Sequence, residues 1–413
     1  MANNALDRPT CDINVLDRAF YLDPHPGYTW LRENRPVMWD EINEIWVLSR
    51  YEEVSYASLH PEVFCSGKGI RPTGGDLNLS LVSMDGERHH QLRRLINKGF
   101  SPRLIRDMEP RVRQVVTEVL DEVGTKESCD FLADIAVPVP LIVIAELMGL
   151  PVADRERFWR WSDTMMGGEG RTEPDDPALL DAAVAFGEYV DYLSSLIAER
   201  REFYRSGRAE EGPSDLISTL VAANEEGVLE SSEELANDEL IMFLVLLVVA
   251  GNETTRNAIA GGMWAFSQFP GQWERLVADR SLLETMPDEI IRYVSPVLSF
   301  SRTATEDTEL AGQRIREGER ILLLYQSANR DEAVFEAPQE LRLDRWPNPH
   351  LAFGTGPHVC LGMNLARLEV RVLFDELSRR FPAMRVDPGF TPHYGDSLLV
   401  HALESLPVEV GAR

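Results

Sequence analysis

Apolar residues recur at three- and four-residue spacing along most of the chain. This predicts helices over 85–97, 103–124, 133–149, 175–204, 213–225, 232–267, 281–295 and 361–380. Strand-like runs are fewer: Ile45 to Leu48, Ser301 to Thr305 and Arg320 to Leu324, with weaker ones near the C-terminus. Three glycine-rich or polar stretches, 66–78, 167–177 and 206–214, read as loops. None of them separates two segments that each look self-sufficient, and no solenoid-length period repeats. The pattern therefore predicts one mainly α domain over 1–413 with small peripheral β-sheets.

The stretch 231–267 is the most informative. Ser231 and Glu234 form a capping box, and apolar residues then run to Phe266. A helix of this length extends about 50 Å at about 1.5 Å per residue, enough to cross the domain. Its middle is apolar all round, which predicts a buried central helix. Into that middle the chain sets Ala250-Gly251-Asn252-Glu253-Thr254-Thr255. Glycine and asparagine are poor mid-helix residues, and a buried carboxylate beside two threonines is unfavourable without partners. A local rule broken inside a strong helix marks a candidate functional site.

Composition narrows the class. The 44% apolar and 26% charged content is that of a soluble globular protein. The net charge of −27 argues against nucleic acid or an anionic membrane surface as partner. The longest apolar run, Leu240 to Gly251, is too short for a bilayer span, which needs roughly 20 residues. The first residues lack the apolar core of a secretory signal. Cys11, Cys65, Cys129 and Cys360 form no CxxC pair and no disulfide framework. These features point to a cytoplasmic, reduced protein.

Three further segments carry candidate chemistry. In Phe353-Gly-Thr-Gly-Pro-His-Val-Cys360-Leu-Gly362 a tight turn delivers a cysteine to the start of a helix, where N–H groups and the helix dipole favour a thiolate. A lone cysteine is more often a small buried hydrophobe. Glu289 and Arg292 lie three apart on one helix face, and taken alone are an ordinary surface pair. His89 and Arg93, four apart, either grip an anionic group or simply solvate a basic face.

Together and in this order, these segments resemble the cytochrome P-450 superfamily of haem-thiolate monooxygenases. Phe353, Gly356, Cys360 and Gly362 match the family's FxxGxxxCxG, and Ala250 to Thr255 match its (A/G)Gx(D/E)T(T/S). Glu289 and Arg292 match its ExxR pair, with Arg345 as their partner before the cysteine loop. Ala328-Asn-Arg-Asp331 is similar to the bacterial soluble members. The resemblance implies the cytochrome P-450 fold, with haem b between the central helix and the helix after Cys360. It implies that Cys360 ligates the iron, and that His89, Arg93, Arg302 and His358 hold the propionates beside Ala250. Glu289, Arg292 and Arg345 become a structural ion network, and Glu253 and Thr254 an acid–alcohol pair that manages protons. The implied reaction inserts one oxygen atom of O₂ into a C–H bond. A peroxide-driven enzyme of the same fold typically lacks the acid–alcohol pair, and a non-catalytic haem protein has no need of it.

No flavin or iron–sulfur motif is present, so electrons are expected from a ferredoxin and its reductase. Arg103, Arg106, Arg111, Arg113, Arg367 and Arg371 form its basic docking patch, or merely solvate helices. The expected substrate pocket is formed by Leu246, Val249, Val297, Leu298 and Ser299, closed by Leu398 or Leu399. Trp159, Trp161, Met165 and Met166 are placed beside its entrance, or in the core. Such a lining suits a hydrophobic small molecule. Details such as Arg160-Trp-Ser-Asp163 are similar to actinobacterial enzymes that oxidise sterol side chains, which implies terminal hydroxylation of cholesterol or cholestenone. A terpenoid, macrolide or fatty acid is the alternative. The chain is expected to act as a monomer.

Overall fold

The computed structural model describes residues 8–73, 80–168, 175–207, 215–225, 233–395 and 397–411. Its helices include Gly86–Ile96, Glu109–Val123, Pro138–Leu147, Pro177–Arg205, Leu216–Glu225, Glu233–Gln268, Met286–Val294 and Met363–Arg380. Each of the eight segments expected to be helical overlaps one of them. The long central helix, Glu233–Gln268, has 36 residues. Its expected capping box lies outside the described residues.

Prolines account for several departures. The segment expected as one helix over 103–124 breaks into Pro102–Asp107 and Glu109–Val123. Pro110 lacks the N–H that would continue the first helix, and its fixed φ suits the first turn of the second. In the same way 133–149 opens as a π-turn, Leu132–Ala136, before restarting at Pro138. Helices Arg18–Leu22, His25–Asn34, Tyr51–Leu59, Arg155–Gly167 and Pro270–Ala278 were not expected from spacing. They are short or polar, and give a weak periodic signal.

The principal sheet has the spatial order Val37–Asp40, Ile45–Leu48, Arg320–Leu324, Ser299–Ala304, Phe64–Cys65. Ile45–Leu48 runs parallel to Arg320–Leu324, joining segments far apart in the chain, and its other pairings are antiparallel. Ile45–Leu48 and, after Arg320, Ile321 to Leu324 are unbroken apolar runs because the sheet is covered on both faces. A second sheet pairs Pro407–Glu409 with Ser128–Asp130 and Arg385–Val386.

The largest core cluster surrounds the central helix, with Leu244, Val248, Ile259, Val370 and Phe374 all buried. Two adjacent glycines set its distance to its neighbours. A Cβ on Gly261 would lie 2.6 Å from Val294 Cγ1, and one on Gly262 2.9 Å from Ile290 Cγ2. This close approach brings the helices Met286–Val294 and Met363–Arg380 against the C-terminal half of the central helix. One turn before the glycine pair, the same helix forms the wall of a cleft.

Candidate active site

The cleft floor is the loop carrying Cys360. Gly354 and Gly356 take φ of +66° and +73°, and a Cβ on Gly356 would sit 2.6 Å from the carbonyl oxygen of Ser58. Only glycine fits there. The turn is closed by Cys360 N donating to Phe353 O at 2.7 Å, and the helix Met363–Arg380 follows at once. Burial pushes the Cys360 thiol up, while the Gly362 amide, Arg93 and Arg367 act to lower it. The sulfur therefore sits in an electropositive setting.

Cationic and imidazole groups gather at one edge of the cleft. Arg93 reaches from the helix Gly86–Ile96 to donate to the carbonyl of Val359. Arg302, 4% exposed on the strand Ser299–Ala304, donates to its neighbour's carbonyl. Neither guanidinium pairs with a carboxylate among the described residues. His358 Nε2 lies 3.2 Å from Asp85 Oδ1 and 3.3 Å from Ser66 Oγ. His89 stacks on His358 at 4.3 Å between ring centroids, and its buried Nε2 has no partner. Burial and the nearby His358 and Arg93 lower the His89 pKa to about 4.

The rest of the lining is apolar. Leu246, Leu247 and Ala250 face Val297, Phe300 and Phe100 across a space of about 240 Å³ that also touches Thr254, Arg93, Arg302, His358 and Cys360. Thr254 Oγ1 donates to the Ala250 carbonyl at 2.7 Å, one turn back along the helix. Such a bond is easily exchanged for one to a ligand.

Glu253 points elsewhere. Its Oε1 accepts from Asn257 Nδ2 at 3.0 Å and its Oε2 lies 2.6 Å from Arg256 Nη2. It lines a separate cavity of about 910 Å³, bounded by Pro138, Leu141, Trp159, Arg256 and the C-terminal residues Ser397, Val400, Ala402, Leu403 and Glu404. Helical phase explains the split. Leu246, Ala250 and Thr254 are spaced by four and share one face, whereas Val249 and Glu253, also four apart, lie on the adjacent one.

Behind the cysteine loop, Glu289 and Arg292 are both fully buried and joined through two bonds of 2.8 and 2.9 Å. Arg345 Nε adds a third contact to Glu289 at 3.0 Å. The remaining donors of Arg292 reach the carbonyls of Asn329, Pro338 and Glu340. Full satisfaction of this kind is what permits ionised groups at zero exposure.

Comparison with known proteins identifies this architecture. The family model described as Cytochrome P-450 matches residues 177–393. The steroid C26-monooxygenase of Mycolicibacterium smegmatis is 34% identical over 98% of this chain and 96% of its own. The methyl-branched lipid omega-hydroxylase of Mycobacterium tuberculosis is 35% identical over 98% and 93%. A Mycobacterium marinum cytochrome P-450 solved with pseudoionone superposes with a TM-score of 0.86 at 33% identity, covering 98% of this chain and all of that one. A Bacillus megaterium structure solved with testosterone gives 0.83 at 31%, covering 96% and 100%. The chain belongs to the cytochrome P-450 family. It is accordingly a monooxygenase.

The family implies a haem, and the cleft of this cytochrome P-450 fits one. A planar apolar body with two carboxylates matches an apolar cleft that ends in two carboxylate-free guanidiniums and an unpartnered histidine nitrogen. The Cys360 thiol stands on the floor of the same cleft.

Several expected residues lie outside the cleft. Val249 is out of helical phase. Ser299 alternates with Phe300 and Arg302 along the strand, so it takes the other face. Leu298 and Leu398 pack together in the cluster around Tyr28 and Leu322. Leu399 is absent from the lining. Trp161 is core, donating from Nε1 to Glu188 at 2.8 Å, and Trp159 lines the second cavity. The Met166 side chain falls outside the described residues. Sequence spacing missed Ile70, Leu81, Val82, Phe243 and Phe300, which line the cleft. The last two were accessible in principle, from helical phase with Leu246 and from strand alternation with Arg302.

Most of the expected basic patch is neutralised. Arg111 pairs with Glu146, Arg113 with Glu109, Asp375 and Glu376, Arg367 with Asp288, and Arg371 with Glu109. Arg103 is exposed and only 4.0 Å from Asp107, while Arg106 has no acidic partner among the described residues.

Proposed function

We propose that this enzyme hydroxylates the terminal carbon of a sterol side chain, with haem bound through Cys360. When bound there, haem supplies the activation of O₂ and the cleavage of the C–H bond. Cys360 holds it by sulfur, and the Gly362 amide and nearby arginines stabilise charge on that sulfur. Arg93, Arg302, His358 and His89 take the carboxylate edge. Arg93 then exchanges its bond to the Val359 carbonyl for a charge-assisted one.

The apolar lining excludes water and binds hydrocarbon by desolvation. Thr254 carries the proton role. Its hydroxyl turns from the Ala250 carbonyl into the cleft and donates there. Glu253 resupplies it by leaving the Arg256 and Asn257 contacts, so that protons pass from the second cavity through the helix to Thr254 Oγ1. Reducing equivalents come from a separate ferredoxin-type protein.

The observation that carries the substrate reading is the lining itself. Between Phe100 and Val297 it offers no charged anchor, and its guanidiniums are committed to the opposite edge. Such a site suits a long uncharged hydrocarbon better than a fatty acid, whose carboxylate finds no partner. The names of the steroid and branched-lipid relatives agree with this class. The test is titration with cholestenone, read as a haem Soret shift, followed by product analysis. A side-chain terminal alcohol is the expected result. A fatty acid or macrolide that shifts the spectrum and turns over, while cholestenone does neither, overturns the substrate assignment.

A further inference from the structure

One aspartate at the carboxylate edge of the cleft belongs neither to the apolar lining nor to the cations. Asp85 stands at the N-cap of the helix Gly86–Ile96, where an aspartate ordinarily accepts from the amides of its own helix. It makes no such bond. Its carboxylate turns to two other segments instead. Oδ2 accepts from the amides of Ser66 at 2.8 Å and Gly67 at 2.7 Å, and Oδ1 lies 3.2 Å from His358 Nε2. The helix gives up a favourable cap for these contacts.

Burial acts to raise the Asp85 pKa, but the bonds from His358 and from the Gly67 and Ser66 amides outweigh it and hold the carboxyl below its ordinary range. A carboxylate only accepts, which puts the shared proton on His358 Nε2. Ser66 Oγ, at 3.3 Å from the same nitrogen, is the longer contact.

Two contacts therefore hold the His358 ring. Asp85 fixes its edge, and His89 covers its face, with ring centroids 4.3 Å apart and planes 30° from parallel. His358 and Cys360 both line the cleft. Ile70, three residues beyond Gly67, lines it as well, and its carbonyl accepts from Ser301 N at 2.6 Å, next to Arg302. Asp85 is thus bonded both to the cysteine loop and to the segment that leads to Ile70.

A negative charge is an unfavourable neighbour for a site that takes two carboxylates. By charge alone, Asp85 weakens the binding of haem there. Its bonds act in the opposite sense, because a ring already held in one orientation loses less freedom when it binds. We propose that Asp85 is a positioning residue, holding the His358 ring in the orientation that receives a haem carboxylate and so slowing the loss of haem. The inference rests on the reading of this edge as the haem-carboxylate site.

The test measures haem loss from the holoenzyme to excess apomyoglobin. Asp85→Asn keeps an acceptor for the Ser66 and Gly67 amides but sets a donor against His358, so it breaks the His358 arm selectively. The variant should lose haem about fivefold faster or more. In a His358→Phe background the same substitution should change the rate by less than about twofold, since its target is gone. A rate in Asp85→Asn at or below the parent's leaves only the charge effect and overturns the inference. An equal acceleration in both backgrounds shows that Asp85 acts through the fold rather than through His358, and overturns it too. If His358→Phe loads no haem, His358→Ala completes the cycle, and the direction of the Asp85→Asn effect stands without either. An unchanged rate in His358→Phe alone overturns the reading of the edge itself, a result distinct from the other two.

Discussion

At the scale of single residues, the division between Thr254 and Glu253 has the most direct consequences. One lines the cleft and the other a separate cavity, although they are adjacent in the chain. Thr254→Ala leaves the lining and the helix intact, so substrate binding should persist. Product per NAD(P)H consumed should fall severalfold as electrons leave as hydrogen peroxide. An unchanged ratio removes Thr254 from the proton path. Glu369 gives a second prediction. It is buried on the cleft wall, and desolvation raises its pKa from 4.5 to about 8. The native protein therefore holds a proton that the unfolded chain releases near 4.5. Stability attached to this group is fully present below that pH and declines up to about 8. Glu369→Gln should flatten the fall in Tm between pH 5 and 8. A parallel fall in both proteins shows that Glu369 does not titrate over that range.

At the scale of helices and strands, close packing decides what a substitution does. Gly261→Ala inserts a methyl within 2.6 Å of Val294, and overpacking of about 1–3 kcal/mol exceeds the gain of about 1 kcal/mol in helix propensity. Gly187, exposed on the outer face of the helix Pro177–Arg205, has nothing within 4 Å, so Gly187→Ala should stabilise by up to about 1 kcal/mol. Denaturant titration of both variants checks the opposite signs. Much of this architecture was legible in the chain, because the long amphipathic and fully apolar helices announce themselves by period. The strands Ile45–Leu48 and Arg320–Leu324 were also found at their observed limits. Short polar helices such as Arg155–Gly167 were not legible, since tertiary contacts rather than periodicity stabilise them. In the site, the motif residues Thr254 and Cys360 line the cleft, whereas Glu253 lines the second cavity, and pocket walls were read less well. Val249, Leu298, Ser299 and Leu398 show why: apolar character says that a residue is buried, and only helical phase or strand alternation says against what.

At the scale of the whole molecule, the net charge of −27 sets the problem of electron delivery. An acidic ferredoxin, as the proposed electron donor, would be repelled by most of this surface, so its docking would need a local cationic exception. Ion pairing leaves Arg103 and Arg106 as the more available members of the expected patch. Arg103→Glu with Arg106→Glu should slow reduction severalfold and weaken its dependence on salt. Unchanged kinetics place the docking face elsewhere. The central claim concerns Cys360, and the carbonyl spectrum of the reduced holoenzyme tests it most directly. The account predicts a red-shifted, thiolate-type Soret band in the parent protein and its replacement by an imidazole-type band in Cys360→His, with hydroxylation lost. A parent protein without the thiolate-type band, or a Cys360→His variant that keeps it, contradicts the account.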